Sequence, residues 1–567
     1  MQALFKRGVG LFLENKYLAL VIVLAAFLRL GYLTYAPASL NWDEVSHGYN
    51  AYSILTTGRD EWGEAFPLIF RAYGDYKLPV YIYITAISEA IFGLGSLAVR
   101  LPSALAGMAT VIFTYLLVKK LFDQKSALVA ALLVAVEPWS LFLSRAAFEA
   151  NLALAFIVSG VYFFVGGLQK PRGLIFSAAL FGLSIWTYNS ARVFVPILLL
   201  VLVSLYKKDL KAVLIRDRKS IALSLIFAAV FFLGMFWQLA NPAGLARYGK
   251  VAIINDGTVA QIDEARNDST LPEPLKRIFY NRASFFAQKF VKNWASYFSG
   301  DFLFGGGGSN FQFSVPGRGV IYTINAFFLA IGLIHLVKLR TKASLLLISW
   351  FFLGPVAASL TSESRHVLRA ITTLPTPMII SALGLISFSK WLRGKLKLAS
   401  GAAIYLVYFL AVGLLLKGYL STYWTEYRKE YSWSWQFGYK EAVEYAKKNY
   451  EAYDTIIVSK KYGEPHEFFL FFWPWDPQQY RVDPNLNRFY QSGWYWVDGF
   501  DKFYFVNDWD IPKEKDSFVL ESKKMVDCSR LKCLLITSPD NYPMGWKKLE
   551  AINFLDGKAA FEIYENK

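Results

Sequence analysis

The sequence LPVYIYITAISEAIFGLGSL, residues 78–97, decides how the whole chain is arranged relative to a membrane. It is about as long as a transmembrane helix must be, yet Glu89 interrupts it, and Gly93, Gly95 and Ser96 break its end. If this stretch crossed the membrane, every later segment would change sides. The distribution of Lys and Arg along the chain indicates whether residues 78–97 cross the membrane.

The composition around this stretch is that of a membrane protein. Of the 567 residues, 55% are hydrophobic, 17% are aromatic and only 18% are charged, which is far from the composition of a soluble domain. The formal net charge is +17, but Lys and Arg form short clusters between apolar runs, as cytoplasmic loops of multi-pass proteins do. We therefore exclude a nucleic-acid-binding function.

Apolar runs of spanning length predict about eleven transmembrane helices. They lie at residues 17–36, 99–118, 126–143, 148–168, 173–190, 192–206, 220–240, 319–337, 343–361, 367–389 and 399–418. Lys6 and Arg7 precede the first run, which is long enough to remain in the membrane. No cleaved signal peptide is predicted.

The positive-inside rule favours a position along the membrane surface for residues 78–97. With that choice every basic cluster faces the cytoplasm, namely those at 119–125, 170–172, 207–219, 338–342 and 390–397. The N-terminus is then cytoplasmic. The segments predicted to face outward are 37–98, 144–149, 189–192, 241–318, 361–369 and the tail from about 421.

The tail differs from the rest of the chain. GYKEAVEYAKKNY (438–450) is typical of a helix, and TIIVS (455–459), FYFVN (503–507) and CLLIT (533–537) are typical of strands, with turn residues between them. We predict a membrane domain over residues 1–420 and an extracytoplasmic α/β domain over 421–567.

Two features of the predicted α/β domain have alternative interpretations. Its tryptophans, Trp473, Trp475, Trp494 and Trp496, suit contact with glycan or lipid headgroups, but packing within the domain explains them as well. Cys528 and Cys533 can form a disulfide in an oxidising compartment, and two free thiols fit the sequence nearly as well. Neither cysteine has a histidine at zinc-ligand spacing.

Asn41-Trp42-Asp43-Glu44 is the most informative external motif, because it follows the first apolar run directly. Two adjacent carboxylates at the mouth of a helical bundle indicate function. A solvated turn or a helix N-cap is the alternative.

The other predicted external loops hold many charged residues. These are Asp75, Lys77, Arg100, Arg145, Glu149, Arg192, Glu363, Arg365, His366 and Arg369. We expect these side chains and the Asp43-Glu44 pair to converge on one face, with acidic groups on one side and basic groups on the other. That arrangement suits a reaction that needs a base and must stabilise a phosphate leaving group.

Two external stretches are candidates for contact with the substrate. In TSESRHVLR (361–369) we expect Arg365, His366 and Arg369 at the outer start of a helix, where they would bind phosphate; anchoring to lipid headgroups is the alternative. DFLFGGGGS (301–309) lacks the Lys-Ser/Thr ending of a P-loop. It fits a mobile flap over a lipid-linked substrate or a plain connector equally well.

Short motifs recur in a fixed order along the membrane part of the chain. They are Asp43-Glu44, residues 58–63 (GRDEWG) with Pro67, residues 76–79 (YKLP), Phe92-Gly93, residues 100–103 (RLPS), Pro138-Trp139, Ser144-Arg145 with Glu149, and residues 366–370 (HVLRA). Taken in order, these motifs resemble the GT-C membrane glycosyltransferases, in the branch of the dolichyl-phosphate-mannose protein mannosyltransferases and the bacterial lipid A aminoarabinose transferase.

The resemblance implies a GT-C fold with surface helices between the first two spans, and a sugar donor carried on a polyprenyl phosphate. By position, Asp43 would activate the acceptor with support from Glu44, and Lys77 would contact the donor phosphate. Arg100 would order the first external loop. The family often has Lys-Pro-Pro where this chain has Lys77-Leu78-Pro79, which leaves the role of Lys77 open.

We therefore predict a membrane glycosyltransferase that acts by inversion on a lipid, protein or cell-surface glycan acceptor, through an oxocarbenium-like transition state. The predicted phosphate-binding residues are Lys77, Arg365, His366 and Arg369, with Arg100, Arg145, Glu149 and Arg192 in support. Some relatives use a divalent metal, but one Asp-Glu pair supplies too few ligands to predict one.

Other functions compete with this prediction. They are a transporter or flippase of lipid-linked sugars, a ligase that uses lipid-linked oligosaccharide, and a sensor or scaffold whose tail is the working part. A transporter should show repeated halves and charges near the middle of the membrane. The sequence has no internal repeat, and its charges are predicted at one surface.

Overall fold

The structure is a computed structural model that describes residues 16–396 and 402–566. Lys6, Arg7, Lys397 and the first residues of the apolar run at 399–418 lie outside the described residues. The chain folds into two compact units. The first unit comprises Met1–Gly31 and Ser103–Leu420, and the second comprises Tyr32–Pro102 and Ser421–Lys567.

The helices from the start of the described chain to residue 239 include those of the first seven predicted apolar runs and two helices between the first and second runs. They are α1 (Lys16–Leu30), α2 (Trp42–Thr57), α3 (Pro79–Phe92), α4 (Ser96–Leu121), α5 (Gln124–Val136), α6 (Pro138–Leu143), α7 (Glu149–Gly167), α8 (Arg172–Ile185), α9 (Asn189–Arg216) and α10 (Arg218–Leu239).

The second half of the first unit begins with short helices and ends with long ones. They are α11 (Pro242–Val251), α12 (Asp256–Asp268), α13 (Glu273–Phe279), α14 (Arg282–Ser296), α15 (Gly300–Phe304), α16 (Asn325–Leu339), α17 (Lys342–Leu353), α18 (Val356–Ser359), α19 (Thr376–Leu396) and α20 (Ala402–Thr422). Residues 241–304 are thus a chain of helices with short connections, and residues 305–324 form turns and irregular structure.

A helix lies within each of the eleven predicted apolar runs. Among the described residues, six helical segments are long and apolar enough to cross a membrane: Ser96–Leu121, Glu149–Gly167, Asn189–Arg216, Arg218–Leu239, Lys342–Ser359 and Ala403–Glu430. The number of spans stays a prediction, because four further apolar helices are shorter than a typical span.

Helix α3 occupies the stretch that decides the topology. Pro79 stands at its start, where a missing N–H costs nothing, and Gly93 ends it with φ of +74°. Its 14 residues reach about 21 Å, less than the hydrocarbon thickness of a bilayer. Its position along the membrane surface stays a prediction.

The predicted helix at 367–389 begins later than expected. Residues 362–368 are irregular, Arg369–Thr373 form a single 3₁₀ turn, and α19 starts only at Thr376. Pro375 explains the delay, because it has no N–H to donate and disfavours helical geometry at the preceding residue. The prediction that Arg365, His366 and Arg369 lie at the start of a long helix was therefore wrong.

The second unit is built on a mixed seven-stranded sheet with strand order β10-β11-β9-β3-β6-β5-β4. Its strands are β3 (Thr455–Ser459), β4 (Asn487–Gln491), β5 (Trp494–Phe500), β6 (Phe503–Val506), β9 (Cys533–Thr537), β10 (Lys547–Asn553) and β11 (Ala559–Glu565). Two small antiparallel pairs lie outside this sheet: β1 (Phe70–Arg71) with β2 (Tyr76–Lys77), and β7 (Ser517–Val519) with β8 (Met525–Asp527).

The three strands predicted from the sequence, β9, β3 and β6, are parallel neighbours at the centre of this sheet. Both β3 and β9 are buried along their whole length. A strand covered on both faces needs a continuous apolar run. Such runs are visible in the sequence, and for this reason the central strands could be predicted. The helices of the C-terminal part are α21 (Arg428–Glu430), α22 (Tyr439–Lys448), α23 (Pro465–Phe472) and α24 (Pro477–Val482).

The sheet packs with the first external loop inside the same unit. Gly48 of α2 lies so close to Phe471 of α23 that a Cβ atom there would be 2.4 Å from the Phe471 ring. The Trp42 N–H donates to Oε1 of Gln436 at 3.2 Å, and Gln436 Nε2 donates to the Tyr462 carbonyl. Residues 32–102 and the C-terminal sheet therefore share one core, although the sequence suggested a separate C-terminal domain.

Cys528 and Cys533 form a disulfide bond in this unit. Both sulfur-bearing residues are buried in an apolar cluster that includes Phe518 and Trp546. Of the two alternatives that the sequence left open, the structure contains the paired one.

Candidate active site

The Asp43-Glu44 pair lies in the first turn of α2. Asn41 caps the helix: its side chain accepts from the Glu44 N–H at 3.0 Å, and Glu44 Oε2 accepts from the Asn41 N–H at 3.1 Å. This reciprocal capping box satisfies two N–H groups at the helix start. The N-cap is Asn41, and Glu44 is its partner in the capping box, while the Asp43 carboxylate bonds to other residues.

Glu44 also forms a buried ion pair with Arg100. Arg100 Nε lies 2.8 Å from Glu44 Oε1, and both side chains are 1% exposed. The same guanidinium group donates to the carbonyls of Leu33, Pro37 and Ser39. One arginine therefore links the start of α4 to the start of the first external loop and to α2.

Asp43 accepts two hydrogen bonds on the same carboxylate oxygen. Lys77 Nζ donates to Oδ1 at 2.6 Å, and the Tyr73 hydroxyl donates to Oδ1 at 2.9 Å. Lys77 comes from β2, which pairs with β1 so that Phe70 faces Lys77, while Asp75 is buried in the turn between them and accepts from the Tyr76 N–H. Within the described residues no hydrogen bond occupies Oδ2 of Asp43.

The two members of this ion pair differ in exposure. The Asp43 side chain is 41% exposed and the Lys77 side chain is 12% exposed. Partial burial alone would raise the pKa of Asp43, but the charge of Lys77 and the hydrogen bonds from Lys77 and Tyr73 outweigh it and lower the pKa to about 2. Asp43 is therefore an ionised carboxylate that an external molecule can reach.

His47, one helical turn after Asp43, carries no charge at neutral pH. Its burial and the nearby Lys77 lower its pKa to about 4. At neutral pH the positive charge that acts on the carboxylate is thus that of Lys77 and not that of His47.

A buried acidic cluster lies behind these residues in the same unit. Burial raises the pKa of Glu61 and of Glu464 to about 7, against the charges of Arg488 and Lys460 respectively. Burial and the two neighbouring carboxyl groups raise the pKa of Glu467 well above its usual value. The sequence analysis missed this cluster, although charged residues inside the apolar helix PHEFFLFF (465–472) were a usable signal.

The other predicted phosphate-binding residues lie in the first unit. Arg365 forms an ion pair with Asp301, and both side chains are largely exposed. Arg369 Nη1 donates to Thr361 Oγ1 at 3.1 Å and lies 3.7 Å from Glu363 Oε2. Arg365 and Asp301 thus form an exposed ion pair, whereas the Arg369 side chain is only 13% exposed beside Glu363.

His366 differs from the two arginines, because it is buried and neutral. Its ring packs against Phe313 at 4.8 Å, and its Nδ1 accepts from the Arg369 N–H at 3.2 Å. Burial and the charges of Arg369 and Arg247 lower the pKa of His366 well below its usual value. His366 therefore orders this segment and, contrary to the expectation, adds no positive charge to it.

The glycine-rich stretch is packed against the same segment. A Cβ atom at Gly308 would lie 2.4 Å from the Val367 side chain and 3.1 Å from the Arg365 carbonyl. At Gly307, φ is +72° and a Cβ atom would lie 2.4 Å from the Arg318 carbonyl. These glycines allow close backbone approach, and beside them lies a cavity of about 490 Å³ lined in part by Asp301, Arg318 and Tyr322.

The other predicted supporting residues, Arg145, Arg192 and Glu149, have contacts that stabilise the fold. Arg145 is buried and donates to the carbonyls of Leu28 and Arg29. Arg192 donates to the Ile185 carbonyl at 3.1 Å and to the Gln238 side chain. Glu149 is the first residue of α7, where a negative charge suits the helix N-terminus.

No three His, Cys, Asp or Glu side chains are grouped to hold a metal ion within residues 16–396 and 402–566. The contacts of Asp43 are made by Lys77 and Tyr73.

Comparisons with known proteins show a matching family model and a similar fold. Residues 77–237 match the family model described as dolichyl-phosphate-mannose-protein mannosyltransferase. Over 97% of both chains, the fold is similar to the crystal structure of ArnT from Cupriavidus metallidurans bound to undecaprenyl phosphate, with a TM-score of 0.53 and 12% sequence identity. The chain has the GT-C fold. It is a multi-pass membrane protein, and residues 77–237 are similar to protein mannosyltransferases.

Two Bacillus subtilis (strain 168) proteins share sequence with this GT-C chain over short segments. The protein named "Putative mannosyltransferase YkcB" is 31% identical over 105 residues, which are 18% of this chain and 15% of the relative. The protein named "Putative mannosyltransferase YycA" is 39% identical over 69 residues, which are 12% and 10% of the two chains. The matched part thus spans a small share of either relative's length.

The GT-C fold confirms the fold class predicted from the sequence. The described chain has a helical membrane part, two helices between the first and second apolar runs, and a C-terminal sheet with helices.

Proposed function

We propose that this protein is a glycosyltransferase that moves a sugar from a polyprenyl-phosphate-linked donor to an extracytoplasmic acceptor. The observation that carries the proposal is the contact of 2.6 Å between Lys77 Nζ and Oδ1 of Asp43, in which the carboxylate is the more exposed partner. A base and a phosphate-binding cation are the two groups that this transfer needs. The mannosyltransferase similarity and the undecaprenyl phosphate in the ArnT crystal structure support the class of donor.

In the proposed reaction Asp43 accepts the proton of an acceptor hydroxyl or amine. The acceptor atom forms a bond to the anomeric carbon while the bond from that carbon to the phosphate oxygen breaks, with inversion and with oxocarbenium character in the transition state. The electron pair of the broken bond leaves with the polyprenyl phosphate. Lys77 stabilises that negative charge.

Lys77 also controls the basicity of Asp43. While Lys77 contacts Asp43, the pKa of the carboxyl group is about 2, which makes it a weak base. A donor phosphate competes for the ammonium group, so donor binding frees the carboxylate and raises its pKa toward the usual range. Oδ2, which has no hydrogen bond from the described residues, is the oxygen proposed to take the proton.

In the first unit, we assign Arg365 and Arg369 to binding of the lipid phosphate, and His366 to ordering their segment. Guanidinium groups bind phosphate through two parallel N–H donors. Both arginines are held by carboxylates, Arg365 by Asp301 and Arg369 by Glu363. At Arg365, whose ion pair is exposed, a phosphate can replace the carboxylate at small cost, since exposed ion pairs contribute little.

We place the second unit on the extracytoplasmic side and the N-terminus in the cytoplasm. The basic clusters between the apolar helices support this orientation. The Cys528–Cys533 disulfide supports it independently, because disulfides persist in oxidising compartments.

The experiment is transfer of radiolabelled sugar from membranes preloaded with polyprenyl-phospho-hexose or the corresponding pentose donor. Wild type is compared with Asp43→Asn at equal expression, and Asp263→Asn, at an exposed surface carboxylate, is the matched control. We expect label in an acceptor with wild type and Asp263→Asn, and a loss of at least about 100-fold with Asp43→Asn. The anomeric configuration of the product tests inversion.

Each other outcome contradicts a different part of the proposal. Equal transfer by wild type and Asp43→Asn removes Asp43 as the base. Movement of the labelled donor across the membrane without transfer indicates a flippase. Transfer only from a lipid-linked oligosaccharide indicates a ligase.

A further inference from the structure

The Tyr73 hydroxyl donates to Asp43, and the C-terminal sheet holds the Tyr73 side chain in place. Tyr73 is 6% exposed and lies in the turn between β1 and β2. The Tyr495 N–H of β5 donates to the Tyr73 carbonyl. The turn that carries the tyrosine is thus fixed by a backbone hydrogen bond from the C-terminal sheet.

The Tyr73 ring lies between two tryptophans. Trp494 stacks on it with ring centroids 5.7 Å apart and an angle of 25° between the planes. Trp42, the neighbour of Asp43 in the chain, contacts it at 5.9 Å and 44°. A phenol packed in this way has little freedom to turn about its side-chain torsions, so its hydroxyl stays directed at Asp43.

Trp494 is itself held by a hydrogen bond from its indole nitrogen. Its Nε1 donates to Glu464 Oε1 at 2.6 Å, and Glu464 is 4% exposed at the start of α23. His466 Nδ1 lies 3.6 Å from the other oxygen of Glu464. The contacts form a continuous series from Glu464 through Trp494 and Tyr73 to Asp43.

We infer that Trp494 is a positioning residue for the transfer reaction, which acts by holding Tyr73 against Asp43. The inference rests on the proposed function for its kinetic consequences. Trp494 does not touch the carboxylate, so its loss should misalign the base and lower kcat while leaving donor binding nearly unchanged. Misplacement of a catalytic group by about 1 Å costs on the order of 100-fold in rate.

The kinetic test compares Trp494→Leu, Trp494→Phe and Tyr73→Phe in the full-length protein. Trp494→Leu should lower kcat by about 10-fold to 100-fold with the KM for donor within about 3-fold of wild type. Trp494→Phe retains a ring on Tyr73 and should restore most of the rate. The double variant Trp494→Leu/Tyr73→Phe should be no slower than Tyr73→Phe, because the two residues act in series.

Trp496→Leu is the matched control. Trp496 lies two residues further along β5, 6.0 Å from Trp494, and its ring lies beneath the Lys460 ammonium group. It should keep the wild-type kcat. Equal losses in Trp494→Leu and Trp496→Leu, or additive losses in the double variant, would overturn the inference in favour of general packing.

A second measurement needs no activity. With 3-fluorotyrosine at position 73, the ¹⁹F signal of wild type should titrate far above the free amino acid, because burial and the Asp43 charge raise the pKa of Tyr73. Trp494→Leu should move the titration toward the free amino acid, and Trp496→Leu should not. An unchanged titration in Trp494→Leu overturns the inference alone. A wild type that fails to transfer sugar but shows the expected titrations overturns the proposed function alone.

Discussion

Lys77 Nζ and Asp43 Oδ1 lie 2.6 Å apart, although one residue stands in a short hairpin and the other at the start of a helix. The Glu44–Arg100 pair beside them fixes the start of α2, and Tyr73 adds a second hydrogen bond to the same oxygen. An ionised carboxylate is thus held by the Lys77 ammonium group, which in the proposed reaction moves to the donor phosphate.

Replacement of Lys77 should weaken both donor binding and catalysis. Lys77→Gln keeps most of the side-chain length but removes the charge, and we expect kcat/KM for donor to fall by about 100-fold or more. The pKa of Asp43 should rise because its ion pair is lost, so the acidic limb of the pH–rate profile should move to higher pH. Lys440→Gln, at an exposed surface lysine, is the control. An unchanged KM and pH profile would contradict the role of Lys77.

Loss of the Glu44 carboxylate should destabilise the second unit. Glu44→Gln leaves the 1%-exposed Arg100 side chain without its counter-charge, and removal of one partner of a buried pair costs about 3–5 kcal/mol. The thermal midpoint of the detergent-purified protein should fall clearly below that of Glu444→Gln, an exposed-site control. The double variant Glu44→Gln/Arg100→Met should recover part of the loss. A midpoint equal to that of the control would contradict the structural role of the pair.

Glu464 should make stability fall as pH rises. Burial raises its folded-state pKa to about 7, above the value of about 4.3 in an unfolded chain. The buried, protonated carboxyl group of Glu464 makes its full contribution to the stability of the folded protein at low pH. This contribution is lost as pH rises through 7, when the buried carboxyl group must ionise. Glu464→Gln, which can still accept from Trp494, should therefore melt higher than wild type at pH 8 and no higher at pH 5. If Glu464→Gln melts higher than wild type by the same margin at pH 5 and pH 8, the raised pKa of Glu464 is contradicted.

The Cys528–Cys533 disulfide provides a test of membrane orientation. If the second unit is extracytoplasmic, both thiols of protein purified from membranes should resist alkylation until a reductant is added. Mass spectrometry of the 528–533 peptide measures the difference. Free thiols in freshly purified protein would contradict the proposed orientation. Cys528→Ser/Cys533→Ser should fold with only a small loss of stability, because the closed loop is short.

The local elements could be predicted from the sequence with good accuracy. Each apolar run contains a helix, and TIIVS and CLLIT are strands over the predicted residues 455–459 and 533–537. These features depend on hydrophobic run length and residue preference, which are properties of neighbouring residues. The error at 367–389 was also local, because Pro375 was not weighed as a barrier to helix formation.

The contacts of the candidate site could not be predicted in the same way. Asp43, Glu44, Lys77 and Arg100 were identified as a set, but the sequence does not say that Glu44 pairs with Arg100 while Asp43 pairs with Lys77. It gave no indication of Tyr73, nor of Trp494 as its neighbour. It also counted His366 among the phosphate-binding residues, and burial then removed its charge.

By itself the sequence determined that the chain is a helical membrane protein with a C-terminal α/β domain, because apolar length, residue preference and the positions of basic residues are properties of local stretches. Only the tertiary structure decided that residues 32–102 share a core with residues 421–567, and that Trp494 holds the tyrosine that orients Asp43. The physical reason is that such contacts arise from packing between segments distant in the chain, whereas local patterns constrain only the segments themselves.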